Sequence, residues 1–97
     1  MTVQQLSDHA TAIREIATRH GVSNVRVFGS HARGEAGPDS DLDLVIGMER
    51  GRDLLDLIGF QLDVQDLLGI SVDVVTVNGL SPYIRDAVLA EARPLWA

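Results

Sequence analysis

Residues 28–46 read FGSHARGEAGPDSDLDLVI, and two features of this stretch set the architecture around it. The first is the run Asp41-Leu42-Asp43-Leu44-Val45-Ile46, which alternates acid with aliphatic before turning wholly apolar. In a strand successive side chains point to opposite faces. Leu42, Leu44 and Ile46 therefore form a core face, while Asp41 and Asp43 share the other. Their Cα atoms then stand roughly 6.5–7 Å apart. Two carboxylates held that close repel one another, and strands disfavour aspartate. A divalent cation with oxygen ligands is the usual offset. The second feature is Phe28-Gly29-Ser30, where a short strand over residues 24–28 runs into a glycine and a hydroxyl at the predicted start of a helix. A helix start offers unpaired N–H groups and a positive dipole end, and both attract phosphate. Gly29 lets a ligand approach the backbone closely, and Ser30 adds a hydroxyl donor.

Working outward, Arg33 lies one turn beyond Ser30, where a cation could steady leaving phosphates. An ordinary solvated charge is an equal reading of that arginine. Ser40 either orients Asp41 or is simply a turn serine. A third acid, Asp73, interrupts the β-branched run Val72-Asp73-Val74-Val75 within a strand predicted over residues 71–77. If the strands of Asp41 and Asp73 are neighbours, three carboxylates converge on one face, an arrangement suited to one or two Mg²⁺ ions bridging triphosphate oxygens.

Helices fill the remaining chain. Val3, Leu6, Ala10, Ile13 and Ala17 recur three or four apart, which predicts one amphipathic helix capped by Thr2 or Ser7 and stopped at Gly21. Gly37-Pro38-Asp39-Ser40 is a turn by composition. A second strand over 41–48 ends before Gly51, and a long helix over 53–68 starts at an Asp53 cap and stops at Gly69. Its apolar residues are too many for one face, so most are core, and a remainder such as Leu57, Phe60 or Val64 could form an exposed patch for a partner. Asn78-Gly79 turns the chain into a last helix with Pro82 in its first turn and an end near Glu91. Trp96 is a core plug or an interface anchor. His9 and His20 read as exposed helix residues. The order is αβαβαβα, an α/β fold with three or more strands flanked by helices.

The 97 residues suit a single domain spanning 1–97. With no cysteine, the chain holds no disulfide, zinc thiolate or thiol nucleophile. Residues 1–19 lack the apolar centre of a signal peptide, and no apolar run is long enough for a bilayer, so a cytoplasmic protein without membrane contact is expected. Eight arginines stand against 14 acids, with no lysine and a net charge of −6. A nucleic-acid backbone needs the opposite balance, so no direct nucleic-acid contact is expected. A calcium loop starting at Asp39 would need Gly at Leu44 and Glu at Arg50. A P-loop would need Gly-Lys-Ser/Thr, which is absent.

The Gly29-Ser30 pair, ten residues, then Asp41-Leu42-Asp43 resembles the signature of the polymerase-β-like nucleotidyltransferase superfamily. The stretch over 29–46 is especially similar to its minimal nucleotidyltransferases, among them antitoxin partners of HEPN-domain ribonucleases. Asp73 matches the position of that family's third carboxylate, and His31 stands where many relatives carry Arg or Lys. The resemblance covers about Val25 to Val77. It implies the small nucleotidyltransferase fold, built on a short mixed sheet. It also implies that Asp41, Asp43 and Asp73 are catalytic and hold Mg²⁺, and that Gly29, Ser30, Arg33 and Ser40 contact the nucleotide, with ATP as substrate. The implied reaction moves AMP onto a hydroxyl, in antitoxin members a tyrosine of a HEPN toxin held in a hetero-oligomer. Two other readings stay open: a binding module that silences its partner by occlusion, and transfer to a small-molecule hydroxyl.

Overall fold

A computed structural model describes residues 3–37 and 39–96, with side chains from residue 5 onward. Thr2 and Pro38 lie outside the described residues. Among these residues, four strands form one sheet in the order β3-β2-β1-β4, where β1 is Val22–Phe28, β2 Leu42–Met48, β3 Val72–Thr76 and β4 Arg93–Pro94. β1 pairs antiparallel with both β2 and β4, whereas β2 and β3 are parallel. The sheet is thus mixed. Parallel neighbours need a crossover, and α3, Leu54–Leu68, supplies it.

The two faces of the sheet differ in chemistry, as the alternation in β2 demands. Leu42, Leu44 and Ile46 are completely buried. They join Val25 and Val27 of β1 in a core with Ile13, Ile16 and Ala17 of α2 (Ala10–Arg19) and Phe60 and Val64 of α3. The opposite face carries Phe28 and Asp43, which are register partners, and Asp73 beside Asp43. α4, Pro82–Glu91, flanks that face, and none of its ten residues is fully buried. The acid-bearing face is therefore the thinly covered one.

The structure departs from the sequence expectation at four places. The first helix is two pieces, α1 (Val3–Asp8) and α2, broken at His9, although Leu6, Ile13 and Ala17 all face the core as their spacing requires. Second, no helix follows β1 among the described residues; residues 29–34 form turns closed by Arg33 N–H to Gly29 C=O (3.1 Å) and Glu35 N–H to Ser30 C=O (2.9 Å). Gly34 sits in the left-handed region at φ 73°, which ends the helical winding after one turn. Third, Phe60 and Val64 are completely buried and Leu57 packs on the core, so the exposed apolar residues of α3 are Leu54, Leu55, Ile58 and Leu62. Residues 54, 58 and 62 are spaced four apart and so line one side of the helix, away from the 57/60/64 side. Fourth, His20 is no bystander: its Nε2 lies 2.7 Å from Asp63 Oδ2, tying the end of α2 to α3. Trp96 packs on the core, with Arg14 5.9 Å above its ring.

The long helix starts and stops where its sequence says. The Asp53 carboxylate accepts from the N–H groups of Leu55 (3.0 Å) and Asp56 (3.3 Å), and Asp56 accepts in return from Asp53 N–H at 3.1 Å. Gly69 closes the helix in the left-handed conformation. Because α3 is the crossover that sets β3 beside β2, this cap supports the site from a distance. Asp53→Ala is expected to cost about 1 kcal/mol, read as a fall in thermal midpoint of roughly 4–8 °C for a domain of this size, with the site residues themselves intact.

Candidate active site

The site is assembled at one edge of the thinly covered face, where β1 ends and β2 and β3 begin. Asp43 and Asp73 are register partners in the parallel pair, so their Cα atoms are one strand spacing apart and their side chains share a face. Asp41 precedes β2 and is exposed. The chain there is already held against β3, because Leu42 N–H donates to Ser71 C=O at 3.0 Å. The three acids expected from the sequence are thus brought to one edge. They are not drawn into a finished cage: among the described residues no three acidic or histidine side chains stand in metal-ligating positions. The donor set is nonetheless all carboxylate oxygen on adjacent backbone, the chemistry that suits a hard divalent ion.

Crowding of like charge is visible in Asp43. Its carboxyl is pushed above the usual aspartate value, first by burial, then by Asp73 and Asp41, with His31 and Arg33 pulling the other way.

Gly29 brings the second half of the site against the first. Its φ is 75°, and a Cβ placed there would fall 2.4 Å from Asp43 Oδ2, so only glycine allows the turn to lie against the carboxylate. The Gly29 N–H donates to the carboxylate of Glu91 at the end of α4. Arg33 Nη1 donates to both oxygens of Glu91 at 3.1 Å, and Arg33 Nε donates to Glu35 at 3.0 Å. These contacts, Gly29 first and Arg33 second, hold the Glu91 carboxyl below its ordinary range. Gly29 and Arg33 therefore converge on one anion, and that anion is the Glu91 side chain.

Glu91 itself was missed from the sequence. It lies 62 residues from Gly29, and local pattern reading has no access to that distance. One signal existed: an acid as the last residue of a helix opposes the macrodipole, which asks for a compensating partner elsewhere. Ser40 is otherwise engaged, its Oγ accepting from Gly37 N–H at 2.9 Å and closing the turn that delivers Asp41. His31 turns inward. It is 2% exposed, neither ring nitrogen has a hydrogen-bond partner among the described residues, and it borders a cavity of about 70 Å³ with Leu6, Val27 and Leu95.

The charge at Asp43 has a measurable sign. The folded chain binds this proton more tightly than the unfolded chain, so Asp43 lowers stability as pH rises from the ordinary aspartate value through the raised folded-state value. Asp43→Asn cannot ionise and escapes that cost. In metal-free buffer at pH 7 its thermal midpoint is expected at or above that of the wild type, with the difference shrinking as pH falls below the carboxyl range. A midpoint several degrees lower would mean the aspartate is structural.

Comparison with known proteins places the fold in a family. The nucleotidyltransferase domain model matches residues 9–95. A Methanocaldococcus jannaschii protein assigned as a protein adenylyltransferase is 39% identical over 77 residues, covering 79% of this chain and 83% of the relative. A solved minimal nucleotidyltransferase is 48% identical at a TM-score of 0.88, over 97% of this chain and 96% of that one. An MNT antitoxin solved with a tri-AMPylated HEPN toxin of Shewanella oneidensis shares the fold at a TM-score of 0.68 and 19% identity, over 97% of this chain and 72% of the other. The family match, running from the start of α2 to just past β4, takes in every element that builds the carboxylate edge, and on it the chain belongs to the nucleotidyltransferase domain family, among its minimal members.

Proposed function

We propose that this chain transfers AMP from ATP to a tyrosine hydroxyl of a HEPN-domain toxin and so serves as the antitoxin of that partner. The observation that carries the reading is the pairing of Asp43 with Asp73 on neighbouring parallel strands, directly beside the Gly29 turn. Strand interiors do not otherwise gather acids at such cost. The Methanocaldococcus relative, named as a protein adenylyltransferase, supports AMP transfer to a protein, and the AMPylated HEPN toxin solved with the Shewanella antitoxin supports a toxin as that protein.

In this reading Gly29 N–H, the Ser30 hydroxyl and Arg33 bind the triphosphate, and the Ser40 turn holds Asp41 at the mouth of the site. Asp41, Asp43 and Asp73 would hold one or two Mg²⁺ ions. When bound, the metal neutralises acids and phosphates together and stabilises the entering and leaving oxygens. Asp73, exposed on β3, accepts the proton of the acceptor hydroxyl. The hydroxyl oxygen bonds to the α-phosphorus as the bond to pyrophosphate breaks. The acidic chain, at −6, suits a basic RNA-cutting partner and disfavours direct nucleic-acid binding.

Occlusion without chemistry is the second reading, favoured by the exposed apolar row Leu54, Ile58 and Leu62 on α3. Intact-mass spectrometry of a co-expressed HEPN partner separates the two. With the wild type, the partner mass is expected to rise by one or more AMP units, and Asp41→Asn, Asp43→Asn is expected to lower transfer by about a hundredfold or more. An unmodified partner in a stable, inactive complex would favour occlusion.

A further inference from the structure

We infer that Glu91 is a built-in rival of the nucleotide: its carboxylate occupies the anion position made by Gly29 N–H and Arg33, and the triphosphate must displace it to bind. The inference rests on the nucleotide reading of Gly29 and Arg33 given above. Three observations support it. First, the contact is the one a phosphate would make. A backbone N–H in a glycine turn and two charge-assisted bonds from one guanidinium nitrogen both converge on a single carboxylate, and carboxylate and phosphate oxygens compete for such donors.

Second, the contact is open to a competitor. Gly29, Arg33 and Glu91 line one rim of an open groove of about 350 Å³, walled by Phe28, Ile84 and Val88. An incoming anion reaches the donors without passing through the core. Third, the rival is held in place loosely on one side and firmly on the other. α4 buries none of its residues completely, so little packing energy fixes its end. Two residues beyond Glu91, however, Arg93–Pro94 pair with β1, which keeps the carboxylate close to the site even when it is displaced. Arg33 has a second partner in Glu35, so it stays oriented through the exchange.

A site closed by its own side chain binds ligand with its intrinsic affinity multiplied by the fraction of time it is open. The measurement is calorimetric binding of a non-hydrolysable ATP analogue with Mg²⁺ to the wild type, Glu91→Ala and Glu91→Gln. Both variants are expected to bind more tightly, Glu91→Ala by about tenfold if the latch is closed nine-tenths of the time, and Glu91→Gln by less because its amide oxygen still accepts from Gly29. Wild-type binding with equal or weaker binding in both variants overturns the latch and leaves the nucleotide site standing. Absence of binding in all three overturns both. Should the variants fold poorly, the wild type gives an independent readout: titration with magnesium tripolyphosphate is expected to shift the Gly29 amide and the Glu91 side-chain carboxyl resonances together. A Gly29 shift with an unmoved Glu91 carboxyl contradicts displacement.

Discussion

Parallel pairing of β2 with β3 places Asp43 directly beside Asp73, and the surrounding structure is arranged around the cost of that placement. Partial burial of the Asp43 carboxylate is the largest part of that cost, and repulsion from Asp73 one strand spacing away adds to it. The chain meets this cost with packing elsewhere. On the reverse face of the same strands Leu42, Leu44 and Ile46 are completely buried against α2 and α3. α3, capped by Asp53 and closed by Gly69, is long enough to return the chain parallel to β2. The same alternation therefore yields the core on one side and the charged edge on the other.

The Gly29 turn shows how close the two halves of the site stand. A single methyl group on Gly29 would collide with the Asp43 carboxylate, so anion-binding N–H and acidic edge share one van der Waals boundary. Such a neighbourhood has too many negative charges to be at rest by itself. Arg33 is the cation that balances part of them, through Glu91 and Glu35, and the remaining imbalance is what a divalent ion carrying a triphosphate would relieve.

Much of this was legible in the sequence because the controlling signals are local. The acid-aliphatic alternation of residues 41–46 marks both faces of β2, Asp53 and Gly69 mark both ends of α3 within a residue, and Pro82 and Glu91 bound α4 as expected. What local pattern could not supply was anything decided by distant partners. The missing helix after Ser30 turns on Gly34 adopting a left-handed conformation, which composition permits without requiring. Which apolar residues of α3 stay outside depends on where α2 and the sheet lie, so Leu54 and Ile58 are exposed while Phe60 is not. β4 is two residues long and exists only because β1 presents a free edge to Arg93–Pro94. Glu91 belongs to the same class, since its role is created by tertiary placement alone.

On the proposed function, Asp43 and Asp73 stand side by side to share a divalent ion. The most direct measurement is the thermal midpoint of the wild type and of Asp73→Asn as Mg²⁺ is added without nucleotide. Binding to the folded state alone stabilises it by RT ln(1 + [Mg²⁺]/Kd). A rise in the wild type that continues with the logarithm of the Mg²⁺ concentration, and is lost in Asp73→Asn, is the expected result. A wild type indifferent to Mg²⁺, or a variant that responds equally, would contradict the shared-metal role of the paired strands.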